Sequence, residues 1–231
     1  MQKILSASLL ALAIAAPFAQ AHEAGDVILR AGVATVAPQE DSSTLKLDGA
    51  SAAGTSAGLD NNSQLGLTAV YMVNDNVGVE LLAATPFQHT VSVKGVSKLT
   101  GIAGLDGDLA DVKHLPPTLS LQYFPLGGAS KFQPHVGVGL NYTTFFQEEL
   151  SSTAKAAGFS DLSLDDSFGL ALQAGFDYML TDKIMVNAAV WKIDIDTTAT
   201  IDGPTALGVK RTKVDVDVDP YAYMVGVGYK F

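Results

Sequence analysis

Cysteine is absent from the 231 residues, so no disulfide framework staples the chain. Basic residues are scarce. Fourteen Lys and Arg stand against 24 Asp and Glu, a net charge of −10, and they form no cluster, which makes the chain a poor partner for nucleic acid. Long hydrophobic runs are missing as well. The longest, Ile4–Ala16, covers 13 residues, short of the ~20 that a spanning helix needs. Lys3 precedes it and Ala19-Gln20-Ala21 follows, the pattern of a secretory signal peptide with its cleavage site. Residues 1–21 are expected to be this leader and residues 22–231 one mature domain, because no linker or change of composition divides them. Removing Lys3 with the leader takes the charge from −10 to −11.

A nucleophile with a base in reach is also lacking. The histidines are His22, His89, His114 and His135; in the barrel argued below only His135 falls in the membrane-embedded part, and no Ser neighbours it on its face. The reading is therefore of a non-enzyme without cofactor or metal. The best metal candidate is "KVDVDVDP", residues 213–220. Counted from Asp215, Pro220 stands where a calcium loop needs Gly and Gly226 where it needs Glu. The alternating valines make it a strand instead.

What is present is glycine (22 residues) and a 48% hydrophobic content with no long apolar helix. A globular β-domain and a membrane barrel both fit that balance. Eight period-2 segments follow the leader: 26–36, 63–73, 77–85, 118–124, 132–145, 167–179, 184–195 and 213–231. Their connections alternate long and short, the short ones being 74–76, 125–131 and 180–183. An even strand count with short turns at one end and long loops at the other is the pattern of an outer-membrane barrel. The first connection is long, which puts both termini on the periplasmic side. The expected fold is all-β, an eight-stranded antiparallel transmembrane β-barrel.

Side-chain alternation agrees. In the last segment Tyr221, Tyr223, Val225, Val227, Tyr229 and Phe231 alternate with Ala222, Met224, Gly226, Gly228 and Lys230. One face is large and apolar, the other small or polar, as for a lipid-facing outside and a narrow lumen. The outward aromatics form two girdles, with Tyr221 and Tyr229 ~20 Å apart along a tilted strand. The terminal Phe231 has the look of the C-terminal signal read by the outer-membrane assembly machinery.

Above Tyr221 the polarity inverts. Asp215, Asp217 and Asp219 share the outward face, so Val214, Val216 and Val218 point inward. "VWKIDIDT" repeats this: with Asn187 kept out of the lipid, Lys192, Asp194 and Asp196 face water while Trp191, Ile193 and Ile195 line the interior. An apolar interior above the membrane needs covering, by packed loops or by a ligand. Lower down, the inward set includes Arg30, Glu80, Asp177 and Lys230, which are expected to pair into a closed polar floor, since an unpaired buried charge is costly. An apolar solute above such a floor would have to leave sideways. "HLPPTL" offers a place: Pro116 and Pro117 interrupt strand pairing near the upper rim, or else merely end a loop.

"HEAGDVILRAG", "QLGLTAVYM", "GVELLAATPF", "HLPPTL", "NYTTFF", "DLSLDDS", "VWKIDIDTTA" and the terminal "GYKF" together resemble the OmpW family, nearest its OprG-like members, over essentially the whole mature chain. The resemblance implies an eight-stranded outer-membrane barrel in contact with lipid bilayer and lipopolysaccharide. It also implies passive uptake of small hydrophobic molecules with lateral release near the Pro116–Pro117 segment. A Leu in the "VELLAA" motif and the Trp in "VW" form the family's constriction and match Leu82 and Trp191; for Trp191 an interfacial girdle role stays open. Lys192 departs from relatives that carry an aromatic there. A narrow channel for small polar solutes such as amino acids, and a surface receptor or structural barrel, remain as alternatives.

Overall fold

The computed structural model describes residues 21–39, 41–101, 106–128, 130–205 and 208–231. The leader read in residues 1–21 thus lies, except for Ala21, outside the described residues. Seventeen strands are present among the described residues. In chain order they begin β1 (Val27–Ala37), β2 (Asp41–Ser42), β3 (Lys46–Leu47), β4 (Ala50–Ser51), β5 (Ser56–Leu59), β6 (Asn62–Asn74), β7 (Val77–Ala84), β8 (Phe87–Lys94) and β9 (Gly107–Leu115). They continue β10 (Thr118–Tyr123), β11 (Phe132–Leu150), β12 (Ser160–Leu164), β13 (Ser167–Met179) and β14 (Ile184–Ile193). The last are β15 (Asp196–Asp202), β16 (Arg211–Asp217) and β17 (Tyr221–Lys230). Two short helices, α1 (Val96–Thr100) and α2 (Ser152–Ala156), lie between them.

Eight of these strands close a ring in the order β1-β6-β7-β10-β11-β13-β14-β17, with β17 pairing back to β1, every pair antiparallel. A closed ring leaves no edge strand for other chains to extend. The ring is narrow and sharply curved where glycines face inward. A Cβ on Gly32 would fall 2.2 Å from the Val225 carbonyl oxygen of the next strand, so only glycine fits.

The outer wall of the ring is apolar, with Leu121, Val138, Leu170, Leu172 and Val225 all exposed. Tyr71, Tyr123, Tyr178 and Tyr229 are exposed at the end with the short turns, and Tyr142, Phe168, Tyr221 and Tyr223 at the other. Both girdles therefore stand where the alternation put them.

The long connections are not the irregular loops that their Gly, Ser and Asp content suggested. They carry nine strands and both helices, which extend the barrel well beyond the apolar band. In one upper sheet β5, β8, β9 and the upper half of β11 pair; in the other β12, β15, β16, β3 and β4. β8 and β9 do alternate: Phe87, His89 and Val93 are buried, as are Ala110, Val112 and His114. Two of those inward residues are histidines and one an alanine, so the pattern carries little hydrophobic signal. The segment read as one strand over 213–231 is two. Val218–Pro220 separates β16 from β17, with Asp219 at a left-handed φ of 40° and Pro220 unable to donate to a ladder.

Candidate functional site

From the turn end upward, the interior is layered. The lowest layer is apolar and includes Ile28, Val70, Met72, Phe124, Met179 and Met185. The N-terminal residues lie across it: the Ala21 amide donates to the Gly128 carbonyl, 2.9 Å, and the His22 ring packs edge-on to Phe124. Sequence reasoning missed this apolar plug, although Ile28 and Met72 sit on the same phase as Arg30 and Val70.

A charged layer follows. The Arg30 guanidinium donates twice to Asp177, at 2.9 and 2.6 Å, and once to Glu80 at 3.0 Å. Such forked bonds are the strong kind. Glu80 also accepts from Gln122 (2.8 Å) and Gln173 (2.7 Å); Asp177 accepts from Asn187 (2.8 Å) and lies 3.1 Å from His22 Nε2. All these side chains are buried, so the floor is closed by pairing. Lys230 is not part of it. Its ammonium lies 3.5 Å from Asp26 at the turn end, because β17 places it one turn of alternation below Gly228, the partner of Arg30.

Directly above comes the apolar chamber. Leu82 stands two residues beyond Glu80 on the same face, and Trp191 is the register partner of Gln173. Leu82, Trp191, Ile193, Ile195, Val216 and Val218 belong to one buried cluster, and Val214 packs against it. Trp191 is 1% exposed, so it is an interior side chain and not a girdle aromatic. Val36, Phe87 and Met224 join the cluster without having been singled out. The chamber is largely filled. Leu45, Val96, Leu150, Ala154 and Phe159 cover it from the loop end, leaving a cavity of ≈ 60 Å³ lined by residues such as Leu59, Phe145, Val214 and Val216. Of the two coverings that the sequence left open, packed loops or a ligand, the loops supply the one seen here.

On the outside, Lys192 sits at the rim, 3.3 Å from the Asp219 carboxylate, bonded to its carbonyl and over the Tyr221 ring. Asp194, Asp196 and Asp219 converge there, their oxygens within 4.8 Å of one another. Burial first, then Asp194, Asp217 and Asp219, hold the Asp196 carboxyl above its ordinary pKa.

The wall is interrupted beside the chamber. β7 and β10 pair up to Leu82–Thr118, and β8 and β9 resume at Phe87–His114. Between them Ala83–Pro86 faces Leu115–Pro117, four residues against three, with no ladder pair among the described residues. Pro86, Pro116 and Pro117 have no N–H to give. The carbonyls of the two prolines are held from the other side by Asn141, fully buried, whose Nδ2 donates to Pro116 O (3.1 Å), Pro117 O (3.3 Å) and Thr118 Oγ1 (2.9 Å). The Thr143 hydroxyl donates to Asn141 Oδ1 at 2.7 Å. A second cavity, ≈ 20 Å³, is bounded at once by Leu82 and Trp191 inside and by Ala83 and Pro116 of the interrupted wall. Nothing in the alternation singles out Asn141, because its partners lie 23 to 25 residues away on another strand.

Comparison with known proteins agrees with this geometry. The "OmpW family" model matches residues 23–231. The "Outer membrane protein W" of Vibrio cholerae is 46% identical over 100% of this chain and 99% of its own length. The crystal structure of the outer membrane protein OprG from Pseudomonas aeruginosa superposes with a TM-score of 0.87 at 60% identity, covering 92% of this chain and 98% of that one. A more distant relative, 27% identical over 87% of each chain, is named "Dibenzothiophene metabolism operon protein PahQ" of Pseudomonas aeruginosa. With its eight-stranded ring, apolar belt and matched length, the chain belongs to the OmpW family of outer-membrane proteins.

Proposed function

We propose that this barrel is a passive conduit for small hydrophobic molecules, not an enzyme. Solutes pass from the loop end into the apolar chamber and leave sideways into the bilayer. One observation carries the reading: a single cavity touches both the Leu82–Trp191 constriction and the unpaired wall at Ala83 and Pro116, immediately above a sealed floor of charges. Straight passage would drag an apolar solute through the Arg30–Glu80–Asp177 layer, whereas the interrupted ladder opens toward lipid. The distant relative named for dibenzothiophene metabolism, an apolar heteroaromatic, fits the same solute class. In this orientation the loops face the lipopolysaccharide side, the termini and short turns face the periplasm, and the exposed Phe231 is the handle for the assembly machinery.

The cavities are small. An engineered cavity that takes up benzene measures about 150 Å³, so passage requires the covering loops and the Leu82–Trp191 ring to move aside. The test compares uptake of a labelled medium-chain alkane and of a small amino acid in cells with and without the protein. Faster alkane uptake, abolished in Leu82→Asp and in Trp191→Asp while both variants still assemble, is the expected result. Faster amino-acid uptake alone, or alkane uptake indifferent to both substitutions, would overturn the reading.

A further inference from the structure

The constriction is not purely hydrophobic. Trp191 is 1% exposed and lines the ≈ 20 Å³ cavity, yet its indole Nε1 meets no acceptor among the described residues. A buried N–H without a partner forfeits the water it would bind outside, so such groups are rare unless something else completes them. The neighbouring strand had a candidate to offer. Gln173, directly opposite Trp191, has turned its amide nitrogen to Glu80 at 2.7 Å; its Oε1 is also buried and also without a partner. Because Glu80 needs donors, the orientation of that amide is set by the floor below and not by the indole. Trp191 therefore stands where the apolar chamber meets the polar layer, and its N–H is buried there without an acceptor among the described residues.

We infer that Trp191 is a specificity-determining residue whose indole N–H donates to an acceptor oxygen carried by the solute. The favoured class is then a small, mainly apolar molecule with a ketone, ester or ether oxygen, in preference to a bare hydrocarbon of the same size. The inference rests on the conduit reading for its transport consequence, but the hydrogen bond itself can be observed without transport.

Trp191 is the only tryptophan in the chain, so the ¹⁵N-labelled indole of the full-length protein in phospholipid bilayers gives a single side-chain N–H resonance. The probes are 2-octanone and n-octane. Titration with 2-octanone is expected to move that resonance in the sense of hydrogen-bond formation, and octane is not. Transport in cells gives the second measurement: the ratio of 2-octanone to octane uptake should fall about fivefold in Trp191→Phe, which keeps an aromatic ring and removes the donor, the worth of one neutral hydrogen bond. An indole resonance that responds identically to both probes, or an uptake ratio unchanged in Trp191→Phe, overturns the inference. If neither solute enters faster than in cells lacking the protein, the conduit reading fails, and the resonance alone still decides whether the donor is used.

Discussion

Arg30 shows what one residue does in a narrow lumen. Its fork of two bonds to Asp177 and its single bond to Glu80 are stabilising only as a complete set, because each carboxylate is buried. Asp177→Leu should lower stability by about 3–5 kcal/mol, since Arg30 would then keep Glu80 as its one charged partner beside the Thr68 hydroxyl; unfolding by heat or denaturant in detergent measures it. Asn141 acts on backbone instead of charge. Asn141→Leu removes the side-chain donor shared by the Pro116 and Pro117 carbonyls, leaving the first to the Thr118 hydroxyl and the second to the Tyr142 amide, and should cost about 1 kcal/mol in the same measurement. The charged trio was legible as inward residues of opposite sign on three strands. The role of Asn141 was not, because a side chain that bonds the backbone of another strand leaves no periodic signal.

Elements inherit their meaning from the medium that each face meets. The inversion at Tyr221, apolar outside below and aspartate outside above, correctly marked where β17 leaves the apolar belt and β16 begins its course through water. The strands of the upper sheets were hidden, since their inward residues include His89 and His114. Those two rings stack at 4.9 Å, with Phe87 and Phe145 alongside His114. Burial, and then His89, push the His114 imidazole down to about 3. A folded value below the unfolded 6.5 means that the unfolded chain binds the proton first. The contribution of His114 is thus complete above the unfolded value and is lost as pH falls toward the folded one. Amide exchange in β8 and β9, corrected for intrinsic rates, should accelerate as pH falls from about 6.5 toward about 3. The interrupted ladder makes its own prediction. Replacing both prolines, Pro116→Ala with Pro117→Ala, restores two backbone donors and lets β10 and β9 run on as one strand against β7 and β8. Alkane uptake should fall severalfold while the barrel still assembles.

For the whole molecule, closure is double: the Met and Phe layer under His22 lies below, and the Arg30 layer lies above it. A planar bilayer holding the protein should therefore show no steady ion conductance at neutral pH, and a persistent conductance would mean that both layers open together. The same closure makes the barrel a chamber with a roof and a floor whose weak place is in its wall. Under the conduit proposal, movement of apolar material would be gated by packing at the loop end and by the prolines at the side, and the diameter of a pore would not matter.

The amino-acid sequence by itself determined the ring of eight strands, their phase, the two girdles and the heights at which polarity changes, because each follows from period-2 alternation against lipid, water or lumen. It also determined the inward set from which Arg30, Glu80 and Asp177 build the floor, while the pairing of Leu82 with Trp191 as a constriction came from the family resemblance. Only the tertiary structure decided that the chamber is filled by its own loops, that Lys230 stays out of the floor, that Asn141 holds the broken wall, and that the Trp191 N–H meets no acceptor among the described residues. Those are facts about which side chains from distant strands meet across the lumen, and distances across a closed ring are set by its curvature and shear, which no local pattern encodes.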